Sequence, residues 1–172
     1  MAQKLRKYVR GFILRYVEEP GATVLNALGV SPNAVTIVGF LVVVASASFV
    51  GLGHLKIGGF LFFVGGAMDL FDGALARLSQ RVTAFGAILD SLLDRLGESV
   101  LYLGLVVYGL HIDPDSRNLM VSISLVFLSL TSSQAVSYLR ARGEALGVDS
   151  RGGLITRPER VIILAAALML GE

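Results

Sequence analysis

From Ala34 to Val50 the chain runs without a charged side chain, and three further stretches, about 56–78, 83–110 and 118–146, repeat the pattern with few interruptions. An apolar helix of about 20 residues crosses the hydrocarbon core of a bilayer, about 30 Å thick. Lipid offers no partner to backbone N–H and C=O groups, so segments of this length and polarity must be helices. These runs confine the chain to an all-α, polytopic membrane helix bundle. Composition agrees: charged residues are 16% of the total, where soluble domains average about 25%. The mean hydropathy is +0.72. A net charge of only +2 with 54% hydrophobic residues excludes a disordered chain. The absence of cysteine excludes a disulfide framework and thiolate chemistry. A length of 172 residues accommodates spans and short loops but no separate soluble domain. Function therefore has to sit in the bilayer or at its edge.

The chain divides at about residue 30. In residues 1–17, Leu5, Tyr8, Val9, Phe12, Ile13 and Tyr16 recur at helical spacing, with Lys4, Arg6, Lys7, Arg10 and Arg15 between them. This reads as an amphipathic helix lying in the membrane interface, joined by a linker to a transmembrane domain over 31–172. Ser31-Pro32 opens the first span, with Ser as N-cap and Pro in the first turn. Gly51–His54 and His111–Ser116 are turns, and Gly147–Ile155 is a Gly-rich polar loop. Thr156-Arg157-Pro158-Glu159 fits a capping box before a last helix, Arg160–Leu170, which is too short to cross. The chain is expected to stop inside that helix or just after it. Twelve basic residues fall on one side of the spans: Lys4, Arg6, Lys7, Arg10, Arg15, Arg77, Arg81, Arg140, Arg142, Arg151, Arg157 and Arg160. Only Lys56 and Arg117 fall in turns on the other. The imbalance puts the N-terminus and the long loop in the cytoplasm.

Asp69, Asp72, Asp90 and Asp94 lie inside the second and third spans. A charge within a membrane helix costs about 2.5–3.5 kcal/mol on insertion scales, so such acids point to function. Asp69, Asp72, Gly73, Ala76 and Arg77 share one helical stripe, and Gly86, Asp90 and Asp94 share another. At 1.5 Å per residue, Asp69 and Asp72 lie roughly 14 and 9 Å from the cytoplasmic end of their helix, and Asp90 and Asp94 roughly 10 and 16 Å. Two antiparallel helices joined by a short turn can bring all four carboxylates to one level. Hard oxygen ligands favour Mg²⁺ or Mn²⁺, and two such ions can bridge a pyrophosphate and stabilise its displacement. The competing reading makes the acids ion-pair partners of Arg77 and Arg95, with the glycines as packing contacts. Glu98 and Arg95 read as structural, as partners of each other or of a neighbour.

The run Asp69-x-x-Asp72-Gly73-x-x-Ala76-Arg77, eight residues, Gly86-x-x-x-Asp90-x-x-x-Asp94 resembles the complete signature of the CDP-alcohol phosphatidyltransferases, with eight fixed positions over 26 residues. Ser31-Pro32-Asn33 resembles that family's motif before the first span. Ser137-Tyr138-Leu139-Arg140-Ala141-Arg142-Gly143-Glu144 and Arg157-Pro158-Glu159-Arg160 resemble its prokaryotic inositol-phosphate branch. The resemblance covers most of the chain. It implies a homodimer with six transmembrane helices per subunit and an interfacial N-terminal helix. It implies a CDP-linked lipid whose pyrophosphate sits on two metal ions, Mg²⁺ or Mn²⁺. Asp69, Asp72, Asp90 and Asp94 are then the metal ligands, with Asp94 also the general base. Gly73, Ala76, Arg77, Gly86, Pro32 and Asn33 line the nucleotide site. Arg140, Arg157, Arg160 and Ser137 hold the acceptor phosphate. The branch usually has Lys where Arg140 stands, and its sixth helix, which would bring a further acceptor-site Arg, is expected to be absent or incomplete here.

The reaction implied is transfer of a phosphatidyl group from CDP-diacylglycerol to inositol 1-phosphate at the cytoplasmic face of the cell membrane, with CMP released and no part for nucleic acid. Glycerol 3-phosphate or another alcohol is the alternative acceptor within this chemistry. An acid-cluster cation transporter is the alternative of another class. The glycine stripe and Arg77 argue against it, since a transporter needs no nucleotide face, and neither repeated halves nor broken helices are evident.

Overall fold

A computed structural model describes residues 11, 14–112, 114, 118–147 and 157–171. Most of the amphipathic helix expected over 1–17 lies outside the described residues, as do Thr156 of the expected capping box and residues 148–155 of the loop. A π-helical turn, Leu14–Glu18, leads into helix α1 (Glu19–Ala27), followed by α2 (Pro32–Gly51), α3 (Leu55–Leu78), α4 (Ala84–Ile112), α5 (Leu119–Ala145) and α6 (Arg157–Leu170).

Local chemistry sets most boundaries. Ser31 is extended (φ −84°, ψ 149°), and its Oγ accepts the Ala34 N–H at 3.2 Å, with Pro32 opening α2. Thr83 caps α4 in the same way, its Oγ1 accepting the Gly86 N–H at 3.0 Å. The turn between α3 and α4 is closed by two backbone bonds, Gln80 N–H to Arg77 C=O and Arg81 N–H to Ala76 C=O. This pairing needs a left-handed residue after the helix, and Gln80 supplies it at φ 55°. Glycine is the usual occupant of such a position. α1 occupies part of the stretch read as a linker. Pro20 sits in its first turn, and Ala22 is buried with Val35, Ala74 and Leu75. Packing against α3 therefore gives this short segment the tertiary support that a nine-residue helix lacks by itself.

α2 lies between α3 and α4, α6 packs on α3, and α5 packs on α4. Small residues allow the close crossings. A Cβ on Gly65 would stand 2.6 Å from a Val43 methyl, and one on Gly104 would stand 2.5 Å from the Ala47 carbonyl oxygen. The Ser46 hydroxyl donates to the Gly58 carbonyl at 2.7 Å, tying α2 to α3. The core joins Val43 and Val50 of α2, Phe62 of α3, Leu101 of α4 and Val161, Ala165 and Leu168 of α6.

Among the described residues, α2, α3 and α5 are long and apolar enough to cross a membrane. α4 is longer, at 29 residues, and carries the charges of Asp90, Asp94, Arg95 and Glu98. α6, at 14 residues, spans about 21 Å and falls short of the hydrocarbon core. The outer faces carry Ile37, Val38 and Leu41 on α2 and Val121, Leu125 and Leu128 on α5, all exposed. An apolar exterior over helices of this length belongs to an integral membrane protein.

Candidate active site

α3 and α4 run antiparallel from the Gln80 turn, so the stripe at the end of α3 faces the stripe at the start of α4. Carboxylate oxygens of Asp69, Asp72 and Asp90 all lie within 4.8 Å of one another. At that separation each like-charged pair repels by about 3.5 kcal/mol with an effective dielectric of 20. Among the described residues no basic side chain stands within ion-pair distance of Asp72 or Asp90. Three convergent carboxylates, two of them without a protein cation among the described residues, are a fitting donor set for a hard divalent ion. The competing sequence reading, in which Arg77 and Arg95 neutralise these acids, does not describe this site. Arg77 instead pairs with Glu18 at 3.2 Å.

Asp94 joins the cluster through Arg157. The guanidinium bridges α3 and α4, with Nη1 on Asp69 and Nη2 2.6 Å from Asp94 Oδ1. Arg157, expected at the acceptor phosphate, is thus held by two of the acids in this structure. It also lines the neighbouring cavity, so it borders both the acid cluster and the space beside it.

The residues expected at the nucleotide are brought together in part. The Asn33 side chain lies over Gly86, where an added Cβ would meet Asn33 Oδ1 at 3.1 Å. This places the start of α2 against the start of α4. Gly73 and Arg77 are neighbours on α3, an added Cβ at Gly73 lying 3.5 Å from Arg77 Nη1. Pro32 stands at the first turn of α2 and Ala76 on the same stripe of α3.

A cavity of about 190 Å³ opens beside Asp94 between α4, α5 and α6, and its wall includes Arg95, Glu98, Ser137, Arg140, Arg157 and Arg160. All four residues expected at the acceptor phosphate therefore line one space. Glu98 pairs not with Arg95 but with Arg160, at 3.1 Å from its Nε. The second Glu98 oxygen accepts from the Ser133 hydroxyl at 2.8 Å. Arg160 also donates through Nη2 to Ser137 Oγ at 3.3 Å.

Three residues escaped the sequence reading: Glu18, Ser133 and Thr36. No spacing signal marks them, because each acts on a partner in another helix. Thr36 is the most consequential. Its hydroxyl donates to Asp72 Oδ2 at 2.6 Å, a shorter contact than its 3.1 Å approach to the Pro32 carbonyl. Partners that orient a ligating carboxylate are worth about 10- to 100-fold in metal affinity. Thr36→Val keeps the shape and removes the donor. Its Mn²⁺ affinity, read by titration of the purified protein, is expected to fall by about tenfold or more. An unchanged affinity would mean that Asp72 needs no such support.

Comparisons with known proteins identify the family and the fold. The family model described as CDP-alcohol phosphatidyltransferase matches residues 29–171. A phosphatidylinositol phosphate synthase of Mycobacteroides abscessus is 38% identical over 157 residues, 90% of this chain and 70% of that protein. An archaetidylinositol phosphate synthase of Methanothermobacter thermautotrophicus is 34% identical over 171 residues, 99% of this chain and 78% of its own. The crystal structure of the Mycobacterium tuberculosis phosphatidylinositol phosphate synthase with CDP-DAG bound superposes with a TM-score of 0.75 at 33% identity, covering 89% of this chain and 75% of that one. A structure of the same enzyme in complex with manganese and citrate gives a TM-score of 0.76 over 89% of this chain and 72% of that one. The transporter alternative falls with these matches, and the chain belongs to the CDP-alcohol phosphatidyltransferase family.

Proposed function

We propose that this enzyme transfers the phosphatidyl group of CDP-diacylglycerol to a hydroxyl of inositol 1-phosphate, giving phosphatidylinositol phosphate and CMP. The observation that carries the choice of acceptor is the cavity beside Asp94, whose wall includes Arg95, Arg140, Arg157 and Arg160. A phosphorylated acceptor makes use of such guanidinium groups, and a neutral alcohol does not. The names of the relatives from Mycobacteroides abscessus and Methanothermobacter thermautotrophicus support the inositol phosphate product. The CDP-DAG bound by the Mycobacterium tuberculosis enzyme supports the donor.

Asp94 acts as general base and takes the proton of the acceptor hydroxyl. The acceptor oxygen bonds to the lipid-side phosphorus, the bond from that phosphorus to the CMP oxygen breaks, and CMP leaves with the electron pair. Asp69, Asp72, Asp90 and Asp94 would hold Mg²⁺ or Mn²⁺, two ions per site, which when bound neutralise the pyrophosphate and its leaving oxygen. A carboxylate is a weak base for an alcohol, so positioning has to supply much of the rate. Arg157 holds Asp94 Oδ1 in this structure, and its release would leave both carboxylate oxygens open to the acceptor hydroxyl. The acceptor phosphate, held with Arg140, Arg160 and Ser137, is the anion that would draw Arg157 away. Gly73, Ala76, Arg77, Gly86, Pro32 and Asn33 form the nucleotide side. The distribution of basic residues supports a cytoplasm-facing site in the cell membrane, and the family resemblance supports a homodimer.

An acceptor panel tests the reading. In lipid nanodiscs with CDP-diacylglycerol and Mn²⁺, CMP release is expected with inositol 1-phosphate and at least about 100-fold less with inositol, because the phosphate-binding groups would then stay unpaired. Glycerol 3-phosphate and serine are expected to give none. Turnover with glycerol 3-phosphate alone would reassign the acceptor.

A further inference from the structure

Glu98 lies one helical turn beyond Asp94 on α4 and is 5% exposed. A buried carboxylate is costly unless its oxygens are matched by charge and hydrogen bonds. Here both are matched, and the partners come from different helices: Arg160 Nε of α6 on Oε1, and the Ser133 hydroxyl of α5 on Oε2. α6 otherwise packs on α3 and α5 on α4, so this carboxylate joins two helices that have little else in common. It also borders both the 190 Å³ cavity and a small one of about 20 Å³ shared with Asp69, Asp94 and Arg157.

Arginine presents five N–H donors in one rigid plane. Glu98 takes the Nε donor of Arg160 and Ser137 takes one from Nη2, which among the described residues leaves three on a group that lines the cavity. We propose that Glu98 is a positioning residue of the acceptor site, fixing the Arg160 plane so that its remaining Nη donors meet the acceptor phosphate. The proposal rests on the reading of the acceptor as a phosphorylated alcohol.

The sign of one substitution separates positioning from simple charge balance. Glu98→Gln removes a negative charge near the cavity and turns one of the two accepting oxygens into an NH₂ donor, so Arg160 and Ser133 can no longer both donate to it. If Glu98 only offset the arginines, a phosphate would bind more tightly and the acceptor KM would fall. If it aims Arg160, the KM rises, because an ångström of misplacement can cost about 100-fold. With the full chain in nanodiscs, the KM for inositol 1-phosphate is expected to rise at least about tenfold, while the KM for CDP-diacylglycerol and the Mn²⁺ affinity stay within about twofold. Arg160→Ala should raise the same KM, and adding Glu98→Gln to it should raise it no further, as residues acting as one unit are not additive. Should Glu98→Gln fail to fold, Ser133→Ala removes one anchor of the carboxylate and is expected to raise the acceptor KM about two- to tenfold. A fall in that KM, no change in it, or a parallel rise in the KM for both substrates overturns the proposal. Wild-type enzyme that uses inositol as well as inositol 1-phosphate overturns the acceptor reading itself. A preference for inositol 1-phosphate over inositol that is undiminished from wild type in Glu98→Gln overturns the positioning role alone.

Discussion

Asp94→Asn is expected to bind CDP-diacylglycerol much as the wild type does and to release CMP about 10²- to 10⁴-fold more slowly, the range over which a general base contributes. The amide matches the carboxylate in shape and offers an oxygen to Arg157, which lies 2.6 Å from Asp94 Oδ1 and also holds Asp69. The bundle should therefore assemble, because the substitution opens no cavity and the Asp69 pairing remains. What the amide lacks is the capacity to take a proton from the acceptor hydroxyl. Single-turnover CMP release beside equilibrium binding of a CDP-linked lipid separates the two effects. Undiminished turnover would remove Asp94 from the role of base. Equal losses of binding and turnover would make it a ligand alone.

The second large effect concerns Asp90. Its carboxylate sits within 4.8 Å of those of Asp69 and Asp72, and among the described residues no cation pairs with it. Asp90→Asn is expected to weaken Mn²⁺ binding by more than about 100-fold, beyond what an orienting partner is worth, and to leave no measurable CMP release. The same change removes two close like-charge contacts, each worth about 3.5 kcal/mol of repulsion at an effective dielectric of 20 before screening. The metal-free protein should therefore melt at a higher temperature than wild type, while the stabilisation that Mn²⁺ gives the wild type disappears. Thermal melts with and without chelator check both signs. Retained Mn²⁺ affinity would show that Asp90 is not a ligand. A lower metal-free melting temperature would show that it has an attractive role in the fold. Asp69→Asn is the less clean variant, because it also disturbs the pairing with Arg157.

Much of the architecture was legible before any coordinates. The start of α2 follows from Ser31-Pro32, and the extents of α3 and α4 with the turn between them follow from apolar runs, signals that act within one segment. The acid stripes were legible for the same reason, since i, i+3 and i+4 spacing within one helix is a local rule. α1 was not, because nine residues gain helical stability only through tertiary contacts such as those of Ala22. The ion pairs were harder still. Glu98 could pair with Arg95 by proximity along α4, yet it pairs with Arg160, 62 residues away.

By itself, then, the sequence determined the solvent of this protein, the number and order of its long helices, and the family signature with its four aspartates. Those properties depend on composition and on contacts within one helix. The tertiary structure decided which polar groups meet: Arg157 with Asp69 and Asp94, Glu98 with Arg160, Thr36 with Asp72 and Glu18 with Arg77. Each of these pairs joins two different helices. Which side chains face each other across a crossing depends on how closely small residues such as Gly65 and Gly104 let the backbones approach, and no periodicity along a single helix encodes that.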